Sequence, residues 1–163
     1  LMAWSKNGTP DTLTTSGDAL TISDTSSLKF NTILSHALDN GSNVTSKLRL
    51  INNTGNNYSD RRSYNGGADA TDVSQSFIYA VGNQGIDEEN FAVIYCVGIA
   101  TEEKLCIIDA ITSGISGAGN APNRREIVGK LVDTTNLITQ IDIFNDYAGS
   151  FDVDSNLSAL GTD

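Results

Sequence analysis

"NFAVIYCVGIATEEKLCIIDAI" (residues 90–111) decides how the chain folds. Two runs within it, around 91–100 and 105–111, are apolar on both faces and rich in β-branched residues. Runs of this length and composition read as central strands of a sheet. The "TEEK" between them (101–104) reads as a hairpin turn. Pairing Thr101 with Lys104 sets Ile99 opposite Cys106 and Cys96 opposite Asp109. That register puts the two thiols on opposite faces of the sheet, too far apart for a disulfide. Two reduced, mostly buried thiols are therefore expected. That expectation agrees with synthesis in a reducing cytosol.

Outward from this hairpin, the period of two recurs. In "SLKFNTILSHAL" (27–38), Leu28, Phe30, Leu34 and Leu38 share one parity and are expected to face the core. His36, the only histidine, shares that parity and reads as an inward or strand-end residue rather than a catalytic one. "KLRLIN" (47–52) sets Leu48 and Leu50 on one face, with Lys47, Arg49 and Ile51 on the other. "NNYSDRRSY" (56–64) alternates Tyr58, Asp60, Arg62 and Tyr64. Further strands are read at 19–23, 74–81, 125–132, 137–145 and 156–161. Turn clusters such as "DNGSN", "NGGAD" and "SGAGNAPN" punctuate them. The expected fold is all-β: an antiparallel β-sandwich, jelly-roll-like, of about ten strands. Residues 1–18 are mostly polar and are expected to form an N-terminal arm ahead of a sandwich domain over 19–163.

Composition fits that reading. The chain has 163 residues, 39% apolar and only 18% charged, with serine, threonine, asparagine and glycine filling the gap. Its net charge of -10 argues against nucleic acid as a partner. No apolar run reaches the roughly 20 residues that span a bilayer. Met2 reads as a start of translation, and no charged region followed by an apolar one succeeds it. Synthesis in a host cytoplasm is the expectation.

At this point a resemblance emerges. "LRLINNTGNNYSDRRSYNGGADATDVSQSFI" (48–78) resembles a pattern in virion proteins of tailed phages and related marine viruses. There, an apolar strand runs into an Asn-rich turn, an Asn-Tyr pair, an arginine-bearing strand and a Gly-Gly-Ala-Asp-like loop. "GNAPNRREIVGKLV" (119–132) and "ITQIDIFNDYAGSFDVDSNLSALG" (138–161) are similar to the closing strands of the same modules. The likeness spans roughly Leu28 to Gly161. It implies a jelly-roll-like sandwich on the outside of a particle, and a virion location. Asp152 and Asp154 stand where that pattern has small residues.

The chemistry-bearing residues are few. No Gly-x-Ser-x-Gly elbow and no phosphate-loop lysine is present. One histidine and two mismatched cysteines do not make the usual zinc set. "FDVDSN" (151–156) places Asp152, Asp154 and Asn156 at alternating positions, a spacing of oxygen ligands that can hold calcium. The full EF-hand loop is missing, and solvated turn carboxylates are the simpler reading. No other cofactor is expected.

Tyr58, Arg62 and Tyr64 share one strand face and make an amphipathic stripe. Such a stripe serves a cross-strand ladder, a protein contact or sugar stacking. Trp4 is a lone large aromatic in polar surroundings, either folded back or buried against a neighbour. Two functions stay open. The first is a non-enzymatic structural component of a virus particle, as capsid, decoration or tail-accessory protein, whose partners are copies of itself and other virion proteins. The second is a carbohydrate-binding module of a receptor-binding protein, whose partner is a cell-surface glycan.

Overall fold

The computed structural model describes residues 3–83 and 88–163. Met2, read above as the start, lies outside the described residues. Among them the chain is all-β, with no helix and thirteen strands. In chain order these are β1 (Ser5–Lys6), β2 (Asp11–Thr12), β3 (Ala19–Ile22), β4 (Phe30–Leu38), β5 (Thr45–Leu50), β6 (Tyr58–Tyr64) and β7 (Ala70–Gln75). Then follow β8 (Ile78–Asn83), β9 (Glu89–Val97), β10 (Lys104–Thr112), β11 (Asn123–Leu131), β12 (Ile141–Phe144) and β13 (Asn156–Thr162).

They form two antiparallel sheets, a jelly-roll-like β-sandwich. The larger runs β1-β13-β4-β9-β10-β11-β6-β7, with β2 also on β13; the smaller runs β3-β12-β5-β8. The hairpin quoted first, β9 with β10, lies in the middle of the larger sheet, as its apolar runs require. The ten strands read from the sequence are all present. The additions are β7 and the two short N-terminal pieces.

Alternation builds the core. Leu20 and Ile22 of β3, Leu48 of β5 and Ile78 of β8 face Ile94 of β9 and Ile108 of β10, all fully buried. The sheets approach closely at Gly129, where an added Cβ would lie 2.8 Å from the Ile78 side chain. Lys104 is the exception among these aliphatic groups. Its side chain is buried, and its ammonium donates to the carbonyls of Ile99, Glu102 and Asp133 at 2.7, 2.6 and 2.6 Å. It thereby ties the β9–β10 turn to the chain after β11.

Two expectations are corrected. First, β4 buries the opposite parity from the one expected: Asn31, Ile33, Ser35 and Ala37 face inward, while Phe30, Leu34, His36 and Leu38 face outward. His36 is therefore not an inward histidine; its Nε2 lies 3.2 Å from Glu89 on the outer face.

Second, Cys96 and Cys106 are joined by a disulfide. The turn is longer than "TEEK", and Leu105 pairs with Val97, so Cys106 stands directly opposite Cys96. Their Cα atoms are 4.3 Å apart, the spacing of a non-hydrogen-bonded antiparallel pair.

The N-terminal segment lies along the edge of the larger sheet. Ser5 pairs with Gly161 and Asp11 with Leu157. Between them the buried Asn7 side chain donates to Asn31 at 2.7 Å and accepts from the Ser26 amide at 2.7 Å. Those buried polar bonds hold the segment at the edge of the domain.

Candidate functional site

The register of the larger sheet fixes what its outer face presents. One cross-strand row reads Leu160, Thr32, Tyr95, Ile107, Val128 and Arg61. The row beside it reads Phe30, Val97, Leu105, Lys130 and Ser59. On the other side, His36, Phe91, Ile111 and Arg124 form another. An outer face of an antiparallel sheet is ordinarily polar. Here Tyr95 is 49% exposed, Leu105 53% and Ile107 56%.

The exposed apolar side chains of this face leave on the order of 100 Å² each, about half of a large side chain, and together roughly 900 Å². The largest apolar patch on a typical monomer is about 300–600 Å². Two shallow grooves run along it on either side of Leu105 and Ile107 on β10. One, of about 480 Å³, is walled by Val73, Thr71 and Val128; the other, of about 380 Å³, by Trp4, Phe30 and Tyr95. Trp4, 51% exposed, thus folds back onto its own domain and enlarges the apolar surface.

Charge on this face is balanced. Arg61, Arg124 and Lys130 are offset by Asp109, Glu126 and Glu89, whereas the whole chain carries -10. Lys130 pairs with Glu103 at 2.8 Å, and Arg124 lies 3.5 Å from Glu126.

The stripe Tyr58, Arg62 and Tyr64 does share one face of β6, but it is the inner face. Tyr58 is 1% exposed and belongs to the core, which corrects the surface reading. Arg62 donates to Asp60 and to Asp72, both at 2.6 Å, and its guanidinium stacks 4.2 Å from the Tyr79 ring. Burial pushes the Asp60 carboxyl above its usual range, while the Tyr79 amide and Arg62 pull it back in part. Tyr64 is exposed again at the strand end, with Arg125 4.7 Å over its ring. The stripe is inward because the larger sheet continues past β8, the edge of the smaller one. Beyond that edge its inner face turns from aliphatic to charged.

Asp152 and Asn156 each bond to a different part of the N-terminal segment. Asp152 accepts from the Ser16 hydroxyl at 2.9 Å. Asp154 takes a left-handed backbone, φ 70°, in the turn before β13. Asn156 donates its side-chain amide to Asp11 and Thr12 of β2. Among the described residues no group of three or more His, Cys, Asp or Glu is placed to hold a metal ion.

Periodicity did not single out the outer-face residues as a site. The signal was present in β10, where Leu105, Ile107 and Ile111 alternate with the buried Cys106, Ile108 and Ala110. Lys47, Tyr79 and Arg125 were also missed, because they meet only through tertiary structure. Compared with known protein families, curated proteins and solved structures, the chain matches none.

Proposed function

We propose that this chain is a non-enzymatic structural component of a virus particle that works by packing against copies of itself through the outer face of its larger sheet. The single observation that carries the reading is that apolar outer face. Its roughly 900 Å² is close to the about 800 Å² that each partner contributes to a standard interface. Its balanced charges favour the approach of like copies, which the net charge of -10 otherwise opposes. The resemblance of the 48–78 and 138–161 stretches to phage and marine-virus virion proteins supports the setting, as capsid, decoration or tail-accessory protein.

Sedimentation over a wide concentration range tests the contact. A discrete oligomer is expected. Ile107→Asp should convert it to monomer without lowering the melting temperature, since Ile107 is outside the core. A strict monomer at all concentrations, or an oligomer indifferent to Ile107→Asp, would overturn the reading. Mass spectrometry of purified particles should find the chain among their proteins.

A further inference from the structure

The outer face of the larger sheet is lopsided about β10. On one side stand bulky groups, Trp4, Phe30 and Tyr95. On the other, the groove of about 480 Å³ is bordered by smaller ones, Ser59, Thr71, Val73 and Val128. Between the two halves Leu105, Ile107 and Ile111 stand in file along β10, each about half exposed. We propose that two copies meet across this face about a two-fold axis running close to β10, so that the aromatic half of each fills the grooved half of the other. The inference rests on the assembly reading and adds to it the arrangement of the copies.

Register says which residues then meet. β9 and β11 flank β10, with β4 and β6 beyond them. An axis along β10 exchanges left for right and keeps the position along the strand. A residue of β9 therefore comes opposite the residue of β11 in the same cross-strand row, and one of β4 opposite one of β6. Residues of β10 come opposite themselves. Tyr95 meets Val128 of the second copy, in the row that passes through Ile107. Phe30 meets Ser59 of the second copy, in the row that passes through Leu105. Val128 and Ser59 both border the groove. Trp4, beyond Phe30, comes over Val73 at the groove's far wall. An isologous contact makes each of these matches twice.

Size decides against the other simple arrangement. An axis across the strands, at the row of Ile107, sets each strand over its own copy. Tyr95 would then stand on Tyr95 and Arg61 on Arg61, and the groove would face the groove. Along β10, bulk meets hollow, which is what the close packing of an interface core requires.

The centre of the contact is aliphatic. Leu105, Ile107 and Ile111 of each copy pack on their counterparts, where the strongest contributions to association are found. Twisted sheets packed face to face cross at about 30°, which an axis roughly 15° off the β10 direction provides. Asp109 is the poor fit. It is exposed between Ile107 and Ile111 and comes opposite its own copy. Like charges so placed resist association, and this one supplies a test.

Single-cysteine variants and a short bis-maleimide linker test the arrangement in the full chain. The native cysteines are joined to each other, so only the introduced thiol reacts. Ile107→Cys should cross-link to itself. Tyr95→Cys and Val128→Cys, each alone, hold the two thiols of a pair two strands apart, roughly 10 Å sideways, and should cross-link little. Mixed and allowed to exchange, they should cross-link severalfold more than either alone. Thr32→Cys mixed with Arg61→Cys repeats the test away from the apolar centre, where a substitution disturbs assembly least. Asp109→Asn should tighten association severalfold in sedimentation. Self-cross-linking of Tyr95→Cys or Val128→Cys as readily as the mixture overturns the arrangement. So do mixed pairs that give no excess, and Asp109→Asn chains that associate no more tightly. Sedimentation keeps the two readings apart: a strict monomer defeats the assembly reading itself. An oligomer that Ile107→Asp disperses, but that cross-links in another pattern, defeats only the two-fold along β10.

Discussion

The Tyr58 hydroxyl closes both backbone bonds of Leu50: the Leu50 amide donates to it at 3.0 Å, and it donates to the Leu50 carbonyl at 2.9 Å. β8 pairs with β5 only as far as Leu48, so at Leu50 a side chain from the opposite sheet takes the place of a neighbouring strand. Tyr58→Phe keeps the ring but strands a buried amide. The expected cost is about 1–3 kcal/mol. Urea unfolding should show a lower midpoint with an unchanged slope.

Alkali provides a second measure of the same residue. Burial pushes the Tyr58 phenol up to about 12, although its bond to Leu50 and the nearby Arg49 act against this. The folded value is raised above the unfolded value of about 10. Its contribution to stability is therefore complete below pH about 10 and is lost as pH rises from about 10 to about 12. The phenolate absorbance of one tyrosine should lag the others in that window. Stability of Tyr58→Phe should fall less steeply there than that of the parent chain.

At the acid end the residue to watch is Asp133. Burial raises its carboxyl, but bonds from the Asn136 side chain and from the Thr135 and Asn136 amides together outweigh this and hold it at about 2. A depressed value stabilises the fold above the unfolded pKa of about 4, and the gain is lost as pH falls from about 4 to about 2. The group is near solvent, so the effect is modest, about 1 kcal/mol. Asp133→Ala should remove it, flattening stability against pH in that interval.

How far the fold was legible depended on which side of each strand had to be known. Alternation marks a strand without saying which face is inside. β4 was read backwards because Phe30, Leu34 and Leu38 on its outer face outnumber the apolar Ile33 and Ala37 on its inner one. The same apolar outer face that misled the parity argument is the candidate site. The β9–β10 register was missed because "TEEK" looked self-sufficient, whereas the turn also takes in Gly98 to Ala100 and is bound by the buried Lys104. Tyr58 looked like a surface aromatic among Asn, Asp and Arg. Its true partner, the Leu50 backbone at the end of β5, becomes visible only when the sheets are stacked.

The disulfide carries a prediction of its own. The intact mass should be two hydrogens below that of the reduced chain, and thiol reagents should label nothing until a reductant is added. Replacing both Cys96 and Cys106 by Ala should cost roughly 2–3 kcal/mol, the expected scale for a short closed loop.

That bond has one more consequence, for the chain as a covalent object. Cys96 and Cys106 flank the exposed turn at Ile99 to Glu103, the stretch of this hairpin most open to a protease. A cut there would not release anything. The two pieces would stay joined through sulfur and paired along β9 and β10, heavier by one water and separable only after reduction. A nicked molecule would therefore keep its place in whatever it is built into.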